Sequence, residues 1–182
     1  VVLSRHATPA ASGGTVRHVS WNPDGRLPSG GSADLNWPRE IEGAGAIINL
    51  AGAGMADKRW TSARKRELKA SRVFATRSLV AAVRRAAHRP PVFLTTSAVG
   101  YYGDTGDEPV DESFPPGSDF LATLCVDWEA EAHAVATLGS RLTIVRSGII
   151  LAPAGGALER MKRPFQFFLG GPLGSGRQVM SW

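Results

Sequence analysis

Short apolar runs, separated by polar and glycine-rich segments, recur along the chain and predict the strands of a sheet. Three runs are almost continuously apolar: residues 46–50 (AIINL), 92–97 (VFLTTS) and 142–145 (LTIV). Two shorter runs, residues 1–3 and the alternating residues 17–21 (RHVSW), predict two further strands. Because continuous apolar strands are typical of sheets that are covered on both faces, the pattern favours parallel strands.

Segments with helical periodicity lie between the later strands. Residues 61–87 predict a long helix that ends before two prolines. Residues 119–138 predict a second, with Ser118 as the N-cap and Gly139 at its end, and residues 156–169 predict a third, kinked at Pro164. The alternation of strands and helices predicts an α/β fold with a doubly wound parallel sheet. Ligands of such folds bind beyond the carboxyl ends of the strands.

Composition narrows the class of protein. The chain has 182 residues, of which 43% are hydrophobic and 20% charged, so we expect one globular domain rather than a disordered chain. Its single cysteine, Cys125, cannot form an internal disulfide or a cysteine-based zinc site, which favours a reducing, cytoplasmic compartment. The longest stretch without charge, residues 43–56, has 14 residues, so we expect no membrane-spanning helix, and the first residues do not resemble a signal peptide.

The net charge of +5 has two interpretations. Many of the cations lie between Arg59 and Arg85, within the long predicted helix, where they can form a solvated face or meet an anionic ligand. Neither a zinc-finger spacing nor an aromatic RNA-binding signature accompanies them, so a nucleic-acid partner is only a weak alternative.

Arg72 interrupts an apolar stripe of the long helix. It follows Leu68 by four residues and precedes Ala75 by three, so all three share one helical face. Because a charge on a core-facing stripe is costly, Arg72 either reaches the solvent at the rim or faces an anionic ligand above the strand ends. Glu67 is a polar neighbour at the same edge.

Polar residues follow the predicted strands. Ser4 and Arg5 follow the first, where an arginine in a dinucleotide-binding fold accommodates the 2′-phosphate of NADP. Ser97, Tyr101 and Tyr102 follow the strand at residues 92–97. Their hydroxyls can polarise a carbonyl, contact a nicotinamide ribose or cap the loop backbone.

The motifs NLAG, KRW, TSAVGYYGD, CVDWE, VRSGIIL and LGGPLGSGRQ occur in this order over nearly the whole chain. Together they resemble the epimerase family branch of the extended short-chain dehydrogenases/reductases. The resemblance implies a Rossmann-like fold with bound NADP(H). It also implies that Ser4 and Arg5 hold the adenosine 2′-phosphate, and that Ser97 and Tyr102 lie near the catalytic hydroxyls. Further cofactor positions implied by the resemblance are Leu50, Ala51, Glu67, Arg72 and Ile150.

The sequence departs from this family in two respects. The glycine-rich turn that follows the family's first strand is absent, so residues 1–182 predict a partial NADP-binding domain, truncated at both ends. Alignment on Trp128 and Glu129 places Leu121 and Cys125 where epimerases have Tyr-x-x-x-Lys. Cys125 lies on an apolar stripe and is interpreted as a core residue.

The sequence thus predicts an NADP(H)-binding, epimerase-like oxidoreductase acting on a small polar substrate, such as a nucleotide-activated sugar. In that case Ser97, Tyr101 or Tyr102 must help to move protons, because the usual tyrosine–lysine pair is missing. The alternative is a catalytically weak dinucleotide-binding or redox-sensing module. We expect no nucleic-acid or membrane partner and no bound metal, and a homodimer is a candidate assembly.

Overall fold

The fold consists of five strands and three helices in a computed structural model, which describes residues 1–5, 16–27, 36–153, 156–172 and 174–182. The strands are β1 (Val2–Ser4), β2 (His18–Ser20), β3 (Ile47–Asn49), β4 (Val92–Ala98) and β5 (Arg141–Ser147). The helices are α1 (Ser62–Arg85), α2 (Phe120–His133) and α3 (Gly156–Gln166). Each predicted strand and helix is therefore present, with ends that differ by a few residues.

Every strand pairing is parallel, as the apolar runs predict. β1 pairs with β2, and β4 lies between β3 and β5 in a second sheet. Among the described residues, no backbone ladder joins the two sheets. Helix α1 connects β3 to β4 and helix α2 connects β4 to β5, so the carboxyl ends of these three strands meet at one edge. In the β4–β5 register, Ser97 lies beside Arg146.

Helix α1 begins where the sequence predicts, because Thr61 caps it. The Thr61 hydroxyl accepts a hydrogen bond from the Arg64 backbone N–H at 3.2 Å. The predicted stripe packs into the protein: Leu68, Ala75 and Leu79 are all buried. Burial of this stripe, rather than the helix's many charges, fixes which face of α1 meets the sheet.

Helix α2 differs from its prediction at both ends. Asp119, not Ser118, is the N-cap, because its carboxylate is placed to accept a hydrogen bond from the Ala122 backbone N–H at 2.8 Å. The α-helix ends at His133 and a separate 3₁₀ turn spans Ala136–Leu138. Gly139 then ends this segment in the left-handed region at φ +88°, as the glycine predicts.

Two clusters of buried side chains form the core. The larger joins the sheets to helix α1 and includes Trp21 and Trp37, whose ring centroids are 5.7 Å apart. The smaller lies below the carboxyl ends of β3 and β4, and contains Leu68, Cys125 and Trp128. The interpretation of Cys125 as a core residue is thus confirmed. Within the described part of the chain, no helix combines the length and apolar character needed to cross a bilayer.

Candidate functional site

A buried polar network fixes the point at which the chain leaves β3. The Asn49 amide nitrogen donates to the hydroxyls of Thr76 and Thr95, at 2.9 and 3.1 Å, and the Trp128 indole donates to Thr76 at 2.9 Å. The Asn49 amide oxygen accepts from the Ala51 backbone N–H at 3.2 Å. Because the Asn49 side chain bonds in both directions, it holds the backbone of residues 49–51 in one position.

Arg72 lies half-buried at this edge, directly beside the backbone that follows β3. One of its guanidinium nitrogens donates to the Leu68 carbonyl at 3.2 Å, and the guanidinium lies 5.4 Å from the centre of the Trp128 ring. A Cβ added to Gly52 would come within 2.9 Å of the guanidinium carbon, so a larger residue there would require the Arg72 side chain to shift.

Arg72 is also electrostatically uncompensated. Burial lowers its pKa, and it forms an ion pair with none of the carboxylates in the described residues. A desolvated cation without a counter-charge is costly unless an anion binds to it. Of the two sequence-based alternatives for Arg72, its place beneath Gly52 favours the anionic ligand.

Arg64 anchors the loop that follows β3, a role that the sequence reading did not assign to it. It is 6% exposed, donates to the Gly54 carbonyl at 2.5 Å and pairs with Glu67 at 2.7 Å. The sequence contains a pattern that indicates this position, since Arg64, Leu68 and Arg72 are spaced four residues apart and share one face of the helix. Of the two alternatives for the cations of this helix, a solvated face does not apply to Arg64, because its side chain is buried.

Glu67 is held as a carboxylate within a group of cations. The hydrogen bond from Arg64 lowers the pKa of Glu67, and the charges of Lys58 and Arg5 lower it further. Arg5, which is exposed at the end of β1, therefore acts electrostatically on the same edge as α1. Arg5 and Glu67, two residues that the resemblance assigns to one cofactor, thus interact electrostatically, with the smallest of the effects that lower the pKa of Glu67.

A second cation, Arg146 on β5, is fully paired. Its Nε and one Nη donate to the two carboxylate oxygens of Glu129 at 3.0 and 2.9 Å, and Glu129 is 5% exposed. Ser97, itself 3% exposed, donates its hydroxyl to the same carboxylate at 2.5 Å. These bonds raise the pKa of Arg146, with Glu129 as the main cause.

Both candidate tyrosines lie against Arg146. Its remaining Nη donates to the Tyr102 hydroxyl at 3.0 Å, and the guanidinium stacks 3.5 Å from the centre of the Tyr101 ring. Ser97, Tyr101 and Tyr102 thus lie around one ion pair, and their catalytic role stays a prediction. The sequence does not reveal this pair, because Arg146 and Glu129 lie on different elements.

That Leu121 and Cys125 stand in the family's tyrosine and lysine positions stays a prediction; leucine has no titratable group. Leu121 packs against Gly100, where an added Cβ would meet it at 3.3 Å. Cys125 is buried near the Ala98 carbonyl, and burial raises the pKa of its thiol. Two further predicted cofactor residues, Leu50 and Ile150, lie at the ends of β3 and β5 and expose 69% and 76% of their surface. Ser4 is the last residue of β1.

Comparison with known proteins identifies relatives over most of the chain. The model of the NAD dependent epimerase/dehydratase family matches residues 33–165. An epimerase family protein of Mycobacterium bovis is 43% identical over 164 residues, which are 90% of this chain and 51% of the relative. A chloroplastic epimerase family protein of Arabidopsis thaliana is 40% identical over 151 residues, 82% of this chain and 43% of the relative. The chain spans about half the length of the curated relatives it matches.

Solved structures show the same fold. The human epimerase family protein SDR39U1 (isoform 2), crystallised with NADPH, superposes with a TM-score of 0.74 at 29% identity, over 98% of this chain and 55% of that protein. A nucleoside-diphosphate sugar epimerase of Corynebacterium glutamicum gives a TM-score of 0.70 at 29% identity, over 91% of this chain and 35% of that one. The predicted Rossmann-like α/β fold is confirmed, and the chain belongs to the NAD dependent epimerase/dehydratase family, in the epimerase family branch of the extended short-chain dehydrogenases/reductases.

Proposed function

We propose that the protein binds NADP(H) and acts as an epimerase-like oxidoreductase on a small polar substrate. The family is supported over most of the chain, and the human relative was crystallised with NADPH. The substrate class is a nucleotide-activated sugar, an assignment supported by the name of the Corynebacterium neighbour. A cytoplasmic location stays a prediction from the single cysteine.

The observation that carries the proposal is Arg72, a desolvated cation without a carboxylate among the described residues, lying under Gly52 at the carboxyl end of β3. That edge is where ligands of doubly wound sheets bind, and a dinucleotide supplies the anionic groups that such a cation requires. In the proposed complex, Ser4 and Arg5 hold the adenosine 2′-phosphate, since the guanidinium fork suits a phosphate. Residues Leu50, Ala51, Glu67 and Ile150 line the rest of the cofactor.

Ser97, Tyr101 and Tyr102 supply the hydroxyls for the chemical step in this proposal. Ser97 lies near the end of β4, Tyr101 and Tyr102 follow that strand, and the three lie together around the ion pair of Arg146 and Glu129. Tyr101→Phe and Tyr102→Phe remove one hydroxyl each without changing the ring. We expect at least one of these variants of the full-length protein to lose turnover while retaining NADPH binding.

A second function has its own supporting observation. Leu121 and Cys125 occupy the positions of the usual proton relay, and Cys125 is buried with a raised thiol pKa. This arrangement favours a dinucleotide-binding or redox-sensing module with little catalysis. The two functions can be distinguished by incubating full-length protein with NADP⁺ or NADPH and a panel of nucleotide sugars. A sustained change in NADPH absorbance supports the enzyme, and tight cofactor binding without turnover supports the module.

Cofactor preference is the direct test of the site. Calorimetry on full-length protein should show that NADPH binds much more tightly than NADH, because only NADPH offers the 2′-phosphate to Arg5. Arg5→Ala should reduce the preference by about tenfold, which corresponds to about 1.4 kcal/mol. Arg141→Ala, at the opposite end of β5, is the matched control and should change nothing. Equal affinities for NADPH and NADH in the wild type contradict the proposal.

A further inference from the structure

One guanidinium holds together four parts of the chain at the edge beyond β4 and β5. Arg146, on β5, binds both carboxylate oxygens of Glu129 on α2. Its third nitrogen donates to the Tyr102 hydroxyl and, at 3.2 Å, to the Glu112 carbonyl. Tyr102 follows β4, and Glu112 belongs to the loop that leads to α2. No other described residue joins so many elements at this edge.

Glu129 extends the same network to the centre of the sheet. Its carboxylate accepts the Ser97 hydroxyl while it pairs with Arg146, and Ser97 and Arg146 are neighbours in the β4–β5 register. The carboxylate is thus satisfied by three hydrogen bonds in a buried position. If Glu129 were shorter, Ser97 and Arg146 would each lose the partner that fixes its orientation. A neutral glutamine would keep one oxygen acceptor but lose the charge and one bond to Arg146.

The tyrosine wall, by which we mean Tyr101 and Tyr102, depends on this pair for its position. The two rings meet edge to face with centroids 5.3 Å apart, and the guanidinium lies against the face of the first and at the hydroxyl of the second. The Tyr101 carbonyl also accepts from the Gly117 backbone N–H at 2.9 Å. The wall is therefore fixed from behind by Arg146, and Arg146 in turn by Glu129.

We propose that Glu129 and Arg146 are positioning residues that hold the tyrosine wall for the nicotinamide half of the cofactor. This inference rests on the proposed function. Ligands of doubly wound sheets lie across the point where the strand order reverses, with one half on each side. Arg5 and Ser4 serve the adenosine half at β1, which leaves the edge of β4 and β5 to the other half.

A purely structural role explains this ion pair poorly. Buried ion pairs are often replaced by apolar residues without loss of stability, because desolvation offsets the attraction between the charges. Here the pair contacts a hydroxyl, a phenol and an aromatic face at once. Orientation of several polar groups at once is what an apolar replacement cannot supply, and it is what a bound ring and ribose require.

Two ligands separate the halves of the site in the full-length protein. NADPH uses both halves, whereas adenosine 2′,5′-bisphosphate uses only the adenosine half. Glu129→Gln keeps the shape of the side chain but removes its charge. We expect its affinity for NADPH to fall by about tenfold and its affinity for the bisphosphate to stay within about twofold of the wild type. The measurement is calorimetry with each ligand.

The matched control is Glu131→Gln, two residues further along α2. Glu131 also binds an arginine through both oxygens, but it lies at the surface and its partner, Arg77, is on α1. This variant should bind both ligands as the wild type does. Arg146→Lys keeps the charge but not the fork, so it should reproduce the loss of NADPH affinity; it carries the test should Glu129→Gln fail to fold.

The outcomes distinguish this inference from the function on which it rests. A wild-type protein that binds neither ligand overturns both. Suppose that the wild type binds both ligands and that the variants lower the affinity for both by the same factor, or for neither. The proposed function then stands, and the positioning role is overturned. Selective loss of NADPH supports the role, because general loosening of the fold would not spare the bisphosphate.

Discussion

Two arginines at the carboxyl edge of the sheet differ in how their partly buried charges are compensated. Arg146 is paired with Glu129 through two of its three guanidinium nitrogens, and this pairing raises the pKa of Arg146. Arg72, half-buried on α1, has no ion pair among the described residues, and burial lowers its pKa. Both side chains contact aromatic rings of the same edge, so their surroundings differ mainly in the carboxylate.

This difference indicates that Arg146 holds its neighbouring side chains in position, whereas Arg72 is expected to bind an anion. A compensated buried charge holds its neighbours in place and has few donors left for anything else. A buried charge without a counter-charge lowers the free energy of unfolding until an anion binds to it. Such a loss of stability in favour of function is common in binding sites. If this is right, removing the two charges should have opposite effects on stability.

The largest effect is expected at the compensated site. Glu129→Gln leaves Arg146 partly buried without its counter-charge, and breaking such a pair typically costs about 3 kcal/mol or more. The free energy of unfolding, measured by urea denaturation of the full-length protein, should fall by about that amount. Replacement of both residues by apolar ones, as in Glu129→Leu with Arg146→Met, should cost much less, because no charge is then left unpaired. A single variant as stable as the wild type contradicts the assignment of Arg146 to the fold.

Arg72→Met should act with the opposite sign. Methionine fills a similar volume without a desolvated charge, so the free energy of unfolding should stay unchanged or rise by about 1 kcal/mol. NADPH affinity should fall by about tenfold or more, since a charge-assisted hydrogen bond to an anion is lost. Urea denaturation measures the change in stability, and calorimetry measures the change in NADPH affinity. A large loss of stability would show that Arg72 is structural after all.

The sequence predicts Arg72 but not its counterpart, for a physical reason. Arg72 breaks an apolar stripe within a single helix, and such a conflict is visible from spacing alone. The pair of Glu129 and Arg146 joins residues 17 apart on different elements, so it exists only after β5 has docked beside β4. Arg64 shows the same limit, because its burial depends on the loop whose Gly54 carbonyl it binds.

The strands and helix ends are more predictable than the site because they follow local rules. Apolar runs gave β4 and β5, the Thr61 hydroxyl started α1, and Gly139 ended the segment after α2. Asp119 shows the limit of such rules, since either of two adjacent residues could cap the helix and only the backbone geometry decides. Ser97, Tyr101 and Tyr102 lie around one ion pair while their catalytic role stays a prediction, and the charges that orient them were not visible in the sequence.

The pKa of the Cys125 thiol responds to the charge of Arg72 and to that of Glu129, the partner of Arg146. Burial raises the pKa of its thiol, with Arg72 lowering it and Glu129 raising it by smaller amounts. A raised pKa means less thiolate at a given pH, so iodoacetamide should alkylate the native protein at pH 8 about tenfold or more slowly than the protein in urea. Arg72→Met should slow the reaction further. Similar rates in native and unfolded protein would show that the thiol is accessible.

The smallest effect is expected for a third arginine, Arg77, which is compensated but exposed. Glu131 raises its pKa through a hydrogen bond, yet both side chains remain accessible to water. Exposed pairs contribute about 0–1 kcal/mol, and salt screens them. Glu131→Gln should therefore lower the free energy of unfolding by less than about 1 kcal/mol, and the difference should shrink when urea denaturation is repeated at high salt. If Glu131→Gln lowers the free energy of unfolding as much as Glu129→Gln does, burial does not determine how much these ion pairs contribute. The distinction between Arg146 and Arg72 would then lose its basis.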